Sequence, residues 1–165
     1  IDIILKEGDT LELGDGLQVK VFSTPGHTRC GLSFYIPDRK ALFFGEAGGS
    51  LLPDGSILPE FLSSYEQYMR SLQRLAALDV ELIGLAHGGV LTEGDAKGYL
   101  ESSIKATKEF RREIEDCLNR YQNQEDVVKD LAKRYYSTGI AQARKPFMLN
   151  MEAMVRVIAR MSASA

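Results

Sequence analysis

The sequence predicts an α+β fold, with strands filling its first part and helices its last part. Alternating apolar and polar residues in short runs, separated by turns rich in glycine, proline and aspartate, fill residues 1–45. From residue 95 onward, apolar residues recur instead at helical spacing over three long segments. The change in period places the division between a first unit, residues 1–94, and a helical extension, residues 95–165.

Four antiparallel strands are predicted at the start of the chain. Residues 10–13 and 17–23 alternate around Gly-Asp-Gly, residue types that tolerate the positive φ angles of tight turns. Residues 31–36 and 41–44 form a second pair around a Pro-Asp turn. We therefore expect two consecutive hairpins.

A β–α–β crossover is predicted to follow. Residues 48–61 hold three glycines and two prolines and are interpreted as a loop. Ser63 and Glu66 have the spacing of a capping box, for a helix that runs to about Leu78. The apolar run 80–86 then returns as a buried strand.

Three helices are predicted in the C-terminal extension, over residues 95–121, 125–136 and 146–161. Pro146 suits a first helical turn, where its missing N–H would have no partner anyway. Apolar residues cover more than one face of the third helix, so it packs on the rest of the chain or on a second subunit. These residues, with Tyr135 and Tyr136, would line an apolar pocket or form core, and core is the commoner role.

Composition excludes several classes of partner. The net charge of −3 gives no reason to expect nucleic acid, and no apolar stretch approaches the roughly 20 residues that span a membrane. Cys30 and Cys117 lie far apart, as expected of reduced thiols in a cytoplasmic protein.

Three residues that ligate metals each follow an apolar run. They are His27 in Thr-Pro-Gly-His-Thr, Glu46 in Phe-Phe-Gly-Glu and His87 in Ala-His-Gly-Gly, and the chain has no other histidine. Imidazole and carboxylate are the usual ligands of zinc, iron and manganese in sites that stay open to substrate. If the strand ends converge, the three side chains form a metal site at one edge of the sheet.

Each of these residues also has an ordinary explanation. His27 can be an ordinary loop histidine, His87 can simply end a strand, and Glu46 can be a glutamate in a solvated loop. Cys30 would be a good zinc ligand, but a small buried residue that starts the next strand is the commoner case. Thr28 is interpreted as a turn residue or a support for a ligand.

The three segments, in this order, resemble the metallo-β-lactamase-fold hydrolases, the superfamily of glyoxalase II, many thioesterases and lactonases. The resemblance covers about residues 8–95 and implies that His27 binds the first metal and His87 the second. It places Glu46 where the family has a bridging aspartate, which makes Glu46 the candidate catalytic residue as well as a ligand. The fold implied is the C-terminal half of an αββα sandwich, followed by the helical extension.

The family's H-x-H-x-D-H motif is absent from this sequence. Together with the start at Ile1, this indicates a fragment whose parent carries the motif, or else a naturally short and degenerate relative. The 165-residue chain is accordingly expected to bind metal weakly and to be inactive alone. An apolar sheet face, assigned to Val19, Val21, Leu42 and Phe44, would then be covered by the N-terminal half or by a second copy in a homodimer.

The function implied is hydrolysis of a small thioester, lactone or other ester by a metal-bound hydroxide, in the intact parent protein. One or two divalent transition-metal ions are implied, zinc first, with iron or manganese as alternatives. Two other functions stay open: a phosphodiesterase or nuclease of the same superfamily, and a non-catalytic binding or regulatory domain.

Overall fold

The computed structural model describes residues 3–136 and 142–163 of the chain. The strands are β1 (Thr10–Glu12), β2 (Gln18–Ser23), β3 (Leu32–Ile36), β4 (Ala41–Phe43), β5 (Ser50–Leu51), β6 (Ile57–Leu58), β7 (Leu82–Gly84) and β8 (Val90–Thr92). The helices are α1 (Tyr65–Ala76), α2 (Glu93–Arg120), α3 (Gln124–Tyr136) and α4 (Arg144–Ser162). The predicted α+β class is confirmed.

Six strands form one mixed sheet in the order β1-β2-β3-β4-β7-β8. Strands β1 to β4 pair antiparallel, β7 pairs parallel to β4, and β8 pairs antiparallel to β7. Both predicted hairpins and the predicted crossover are thus confirmed. Strands β2, β4 and β7 consequently point in the same direction, so their carboxyl ends lie at one edge of the sheet.

Two strand pairings were not predicted. Residues 48–61 contain the small antiparallel pair β5 and β6 instead of only a loop, and β8 adds an edge strand after His87. These strands have two or three residues each, too few to show a period of two in the sequence. Their pairing depends on neighbours that the local sequence does not identify.

Helix α1 is capped one residue later than predicted. The Ser64 hydroxyl accepts a hydrogen bond from the Gln67 N–H at 3.3 Å, so Ser64 is the N-cap. The predicted cap, Ser63, donates its hydroxyl to the carbonyl oxygen of Gly26 at 2.9 Å. Ser63 therefore ties the helix to the turn that carries His27.

The large sheet has two different apolar faces. Leu42 and Phe44 belong to the face that α1 and α2 cover, and they share one apolar cluster with the helices. Val19 and Val21 lie on the opposite face, where Val21 pairs with Phe34. The prediction that these four residues form one uncovered face is therefore wrong, and each is at most 7% exposed. Side chains point to alternate faces along a strand. Which face of one strand continues which face of the next depends on how the two strands align, and the sequence alone does not give that alignment.

The second face keeps an exposed apolar patch. Phe34 pairs with Phe43, and Gly84, the partner of Phe43 on β7, pairs in turn with Val90. Phe43 is 41% exposed and Val90 is 59% exposed. Val19, Val21, Phe34, Phe43 and Val90 are called the second face below.

The three predicted C-terminal helices are present and share the apolar cluster of the first unit. Phe147, Met151, Met154 and Ile158 of α4 are buried in that cluster, as the core interpretation expected. Tyr135 donates its hydroxyl to Glu113 and packs within the helices. The boundary at residues 94 and 95 stays a prediction, because α2 also contacts α1 and strands β6 to β8. Over the described residues, no helix is both long and apolar enough to cross a membrane.

Candidate active site

The structure brings His27, Glu46 and His87 to one cavity. His27 follows β2, Glu46 follows β4 and His87 follows β7, so each lies just beyond the same edge of the sheet. The cavity they line has a volume of about 790 Å³. The sequence motifs thus meet in space although 60 residues separate the two histidines.

The turn that carries His27 is packed tightly against α1. Gly26 has a φ of 137°, and a Cβ atom there would lie 2.3 Å from the Cα of Tyr68. The Gly26 carbonyl accepts the backbone N–H groups of Ser63 and Ser64, and Ser71 donates its hydroxyl to the Pro25 carbonyl at 2.8 Å. Glycine is required here because the backbone of the turn approaches the helix backbone directly.

His27 is held through one ring nitrogen. Nδ1 lies 2.9 Å from the backbone carbonyl oxygen of Glu60 and 3.6 Å from Oε2 of the same residue. Because a carbonyl oxygen can only accept, Nδ1 carries the proton and donates it. Nε2 has no hydrogen-bond partner within the described residues, and it is the nitrogen left for a ligand in the cavity.

Glu60 is a site residue that the sequence did not reveal. It is 7% exposed, lines the cavity, and its Oε1 accepts the Ser50 hydroxyl at 2.5 Å. It lies in the segment between β6 and α1, outside every motif, and its only distinguishing feature in the sequence is the preceding Pro59. Only the packing of this segment against the His27 turn identifies it.

The buried Tyr68 connects the segment that carries Glu60 with the segment that carries Glu46. The Tyr68 hydroxyl accepts the Glu60 N–H at 3.4 Å and donates to the Glu46 carbonyl at 3.4 Å. Tyr68 has no exposed surface, and burial raises the pKa of its hydroxyl far above the usual range. The hydroxyl therefore stays neutral and serves as a fixed bridge.

Glu46 and His87 face each other at the more open side of the cavity. Glu46 lies in a single 3₁₀ turn, Gly45–Gly48, and its Oε1 is 3.5 Å from Nε2 of His87. The side chain of His87 is 75% exposed, against 19% for His27. His87 is followed by two glycines at positive φ, which let the chain reverse into β8.

The donors match a divalent transition metal in kind but not in number. Imidazole and carboxylate suit zinc, iron or manganese. Among residues 3–136 and 142–163, however, no three His, Cys, Asp or Glu side chains are grouped closely enough to hold an ion. Cys30 does not help, because it lies exposed in the turn after His27, which corrects the expectation that it is buried. A complete site would need ligands in addition to His27, Glu46 and His87.

The remainder of the cavity wall is largely apolar. It is lined by Leu51, Leu52, Pro53 and Pro146, with the side-chain amides of Gln142 and Asn150. None of the described lining residues is a lysine or an arginine. The cavity therefore has room for an uncharged organic group beside the two histidines.

Comparisons with known proteins give a consistent result. Residues 1–87 match the family model of the metallo-beta-lactamase superfamily. A hydroxyacylglutathione hydrolase of Brucella anthropi is 36% identical over 120 residues, covering 69% of this chain and 42% of the relative. A metallo-beta-lactamase fold-containing protein of Sulfurisphaera tokodaii is 33% identical over 105 residues, covering 62% of this chain and 39% of the relative.

Solved structures show the same fold. A metallo-beta-lactamase family protein from Thermus thermophilus aligns with a TM-score of 0.64 at 20% identity, over 96% of this chain and 49% of that one. A flavo di-iron protein variant from Thermotoga maritima aligns with a TM-score of 0.50 at 21% identity, over 64% of this chain and 31% of that one. The chain spans less than half the length of the curated relatives it matches. Because the family model matches residues 1–87, more than half of its length, this chain belongs to the metallo-beta-lactamase superfamily.

Proposed function

We propose that this chain forms part of a metal-dependent hydrolase that acts on a small thioester, with lactones and other esters as the wider substrate class. The observation that carries the proposal is the meeting of His27, Glu46 and His87 in one cavity. The 36% identity to a hydroxyacylglutathione hydrolase supports a thioester as the first choice.

Each of the three residues has a definite part in the proposal. His27 would hold one ion through Nε2, His87 would hold a second, and Glu46 would ligate both or one of them. When bound, such ions lower the pKa of water to about 7 and polarise the carbonyl of the substrate. Zinc is the first candidate, and iron is the alternative that the flavo di-iron neighbour suggests.

Glu46 is the point at which this chain departs from the aspartate expected from the resemblance. The extra methylene lets the carboxylate reach within 3.5 Å of the exposed His87 from a short 3₁₀ turn. We infer that Glu46 serves the site as a ligand.

The cavity wall favours an uncharged acyl group over a phosphodiester. Phosphate recognition relies on arginine, lysine or helix N-termini, and the described lining of this cavity has no basic side chain. The apolar side chains of Leu51 and Leu52 would instead contact the acyl group. This observation weighs against the nuclease or phosphodiesterase alternative.

We further propose that a second polypeptide segment completes the site. The donors in this chain are too few for two ions, and relatives such as the Brucella anthropi enzyme are more than twice as long as the matched region. An N-terminal half or a second copy of the chain would supply the missing ligands. A cytoplasmic location agrees with the two free thiols at Cys30 and Cys117.

The experiment uses the protein as its gene encodes it, loaded with zinc. Hydrolysis of an acyl-glutathione thioester, a lactone and bis(p-nitrophenyl) phosphate is compared, before and after treatment with a chelator. We expect the thioester to be cleaved fastest, activity to return with added zinc, and His27→Ala and His87→Ala each to lose at least about 100-fold in kcat/KM. Glu152→Gln, an exposed change on α4, is the matched control.

Two outcomes would contradict the proposal in different ways. A preference for the phosphate diester would support the phosphodiesterase alternative. Stoichiometric zinc without hydrolysis of any substrate in the panel would support a non-catalytic binding domain.

A further inference from the structure

We propose that Glu60 is a positioning residue that holds the imidazole of His27 in its Nδ1–H tautomer and thereby aims Nε2 into the cavity. The inference rests on the proposed function in one respect only, namely that Nε2 of His27 binds a metal ion. The tautomer and orientation of the ring are properties of the metal-free chain.

Glu60 offers two acceptors to the same nitrogen. Its backbone carbonyl oxygen lies 2.9 Å from Nδ1 of His27, within hydrogen-bond distance. Its carboxylate Oε2 lies 3.6 Å from the same nitrogen and adds negative charge beside it. Both acceptors favour a proton on Nδ1, so the lone pair lies on Nε2.

The Glu60 carboxylate that faces His27 is almost completely buried. The side chain of Glu60 is 9% exposed, and burying a carboxylate costs free energy unless it is paired. Within the described part of the chain, His27 is the one basic side chain within 4 Å of it, and Ser50 donates to its other oxygen at 2.5 Å. Ser50 thus fixes the direction of the carboxylate, and the carboxylate faces the histidine.

The backbone of Glu60 is fixed independently. Its N–H donates to the Tyr68 hydroxyl, which also donates to the Glu46 carbonyl, and Tyr68 is fully buried on α1. The Glu60 carbonyl, which accepts from His27, is therefore connected through Tyr68 to α1 and to the segment that carries Glu46. A displacement of Glu60 would alter the positions of both His27 and Glu46.

Charged partners of this kind usually set both the tautomer and the basicity of a ligating histidine. Removing one typically costs 10- to 100-fold in metal affinity. In Glu60→Gln the backbone carbonyl remains, but the amide can donate as well as accept. The new amide would therefore compete for a lone pair on Nδ1 and favour the other tautomer.

The test measures the ¹⁵N shifts of the imidazoles in the metal-free chain, about two pH units above the usual histidine pKa of ~6.5. The chain has two histidines, so both are resolved, and the exposed His87 serves as the internal reference. We expect a single Nδ1–H tautomer for His27, and for the exposed His87, whose Nε2 faces Glu46 at 3.5 Å, a population weighted toward the Nε2–H tautomer. In Glu60→Gln, His27 should become a mixture, whereas Glu152→Gln should leave it unchanged.

A second measurement uses the zinc-binding protein as its gene encodes it. Glu60→Gln should weaken zinc binding by 10- to 100-fold, against less than twofold for Glu152→Gln. If Glu60→Gln does not fold, Ser50→Ala replaces it, because it keeps the charge but frees the carboxylate, and it should shift the tautomer of His27 in the same direction.

A tautomer mixture at His27 in the unaltered chain would overturn the proposal. An unchanged tautomer in Glu60→Gln, or in Ser50→Ala where that variant replaces it, would do the same. These readouts do not involve hydrolysis, so a protein without thioesterase activity can still show the tautomer, and the two proposals fail separately.

Discussion

Oε1 of Glu46 lies 3.5 Å from Nε2 of His87, across the ends of two parallel strands that are adjacent in the sheet. The chain between them runs through β5, β6 and α1 before it returns. The contact therefore depends on the parallel register of β4 and β7, in which Phe43 pairs with Gly84. Together with His27, these residues line the cavity at which we propose a metal site.

The first prediction concerns metal content. The 165-residue chain alone, after dialysis against zinc-free buffer, should retain much less than one zinc per chain, because three donors shared between two ions leave each ion with too few ligands. Elemental analysis measures this directly. Stoichiometric zinc, lost on His27→Ala or His87→Ala, would contradict the prediction and show that other groups in the chain complete the site.

The second prediction concerns the turn at Gly26. Gly26→Ala should lower the free energy of unfolding by about 2–4 kcal/mol, because the methyl group would overlap the backbone of Tyr68 and the residue has a φ of 137°. Urea denaturation measures the loss. Gly55→Ala, with φ of 83° and no atom within 4 Å of the new Cβ, should show only the smaller cost of backbone strain.

Gly98→Ala supplies a control of opposite sign. Gly98 lies in the exposed interior of α2, with no atom within 4 Å of a Cβ, so alanine should stabilise the chain by about 0.5–1 kcal/mol. Equal losses for the Gly26 and Gly55 variants would show that the approach to Tyr68 contributes nothing.

The third prediction concerns the second face of the sheet. Phe43 and Val90 are 41% and 59% exposed on this face, so the isolated chain should associate at concentrations of tens of micromolar or above. Light scattering should report a mass above 18.3 kDa. The double variant Phe43→Glu with Val90→Lys should return it to a monomer, because charged side chains oppose burial of the patch.

Leu149→Lys is the matched control, since Leu149 is 55% exposed on α4, away from the sheet. It should leave the association unchanged. If the chain without these substitutions is a monomer that unfolds cooperatively, the exposed Phe43 and Val90 do not cause association and the prediction is wrong.

The fourth prediction concerns pH. The Ser23 N–H and, to a lesser degree, the Arg74 guanidinium hold the pKa of Glu7 below its usual range, against the opposing effect of burial. A lowered folded-state pKa contributes stability that is present above the unfolded-state pKa of Glu7 and is lost as the pH falls through the folded-state value.

Glu7→Gln should therefore cost about 0.5 kcal/mol at neutral pH and nothing once Glu7 is protonated in both states. The value is small because Glu7 and Arg74 are both about half exposed and water screens the pair. Urea denaturation at pH 7 and at about pH 3 measures the difference, with Glu152→Gln as the control. A cost that persists unchanged in acid would show that charge is not the cause.

The candidate ligands could be predicted from sequence because their evidence is local. A histidine beside glycine at the end of an apolar run is visible within five residues, and the same holds for Glu46 and His87. The alternation of β2 and the helical spacing of α1 are equally local. The three residues converge because β2, β4 and β7 run in the same direction. The two predicted hairpins and the predicted crossover already implied that direction.

The sequence by itself thus determined the α+β class, the order of the main elements and the three residues at the sheet edge. The tertiary structure alone decided that Glu60 contacts both His27 and Ser50, that Ser64 rather than Ser63 caps α1, and that Leu42 and Val21 lie on opposite faces of the sheet. These features depend on contacts between residues distant in the chain, such as the 33 positions between His27 and Glu60. Periodicity and motifs report how a residue relates to its chain neighbours, whereas hydrogen bonds and packing across the fold are set by whichever segments meet there.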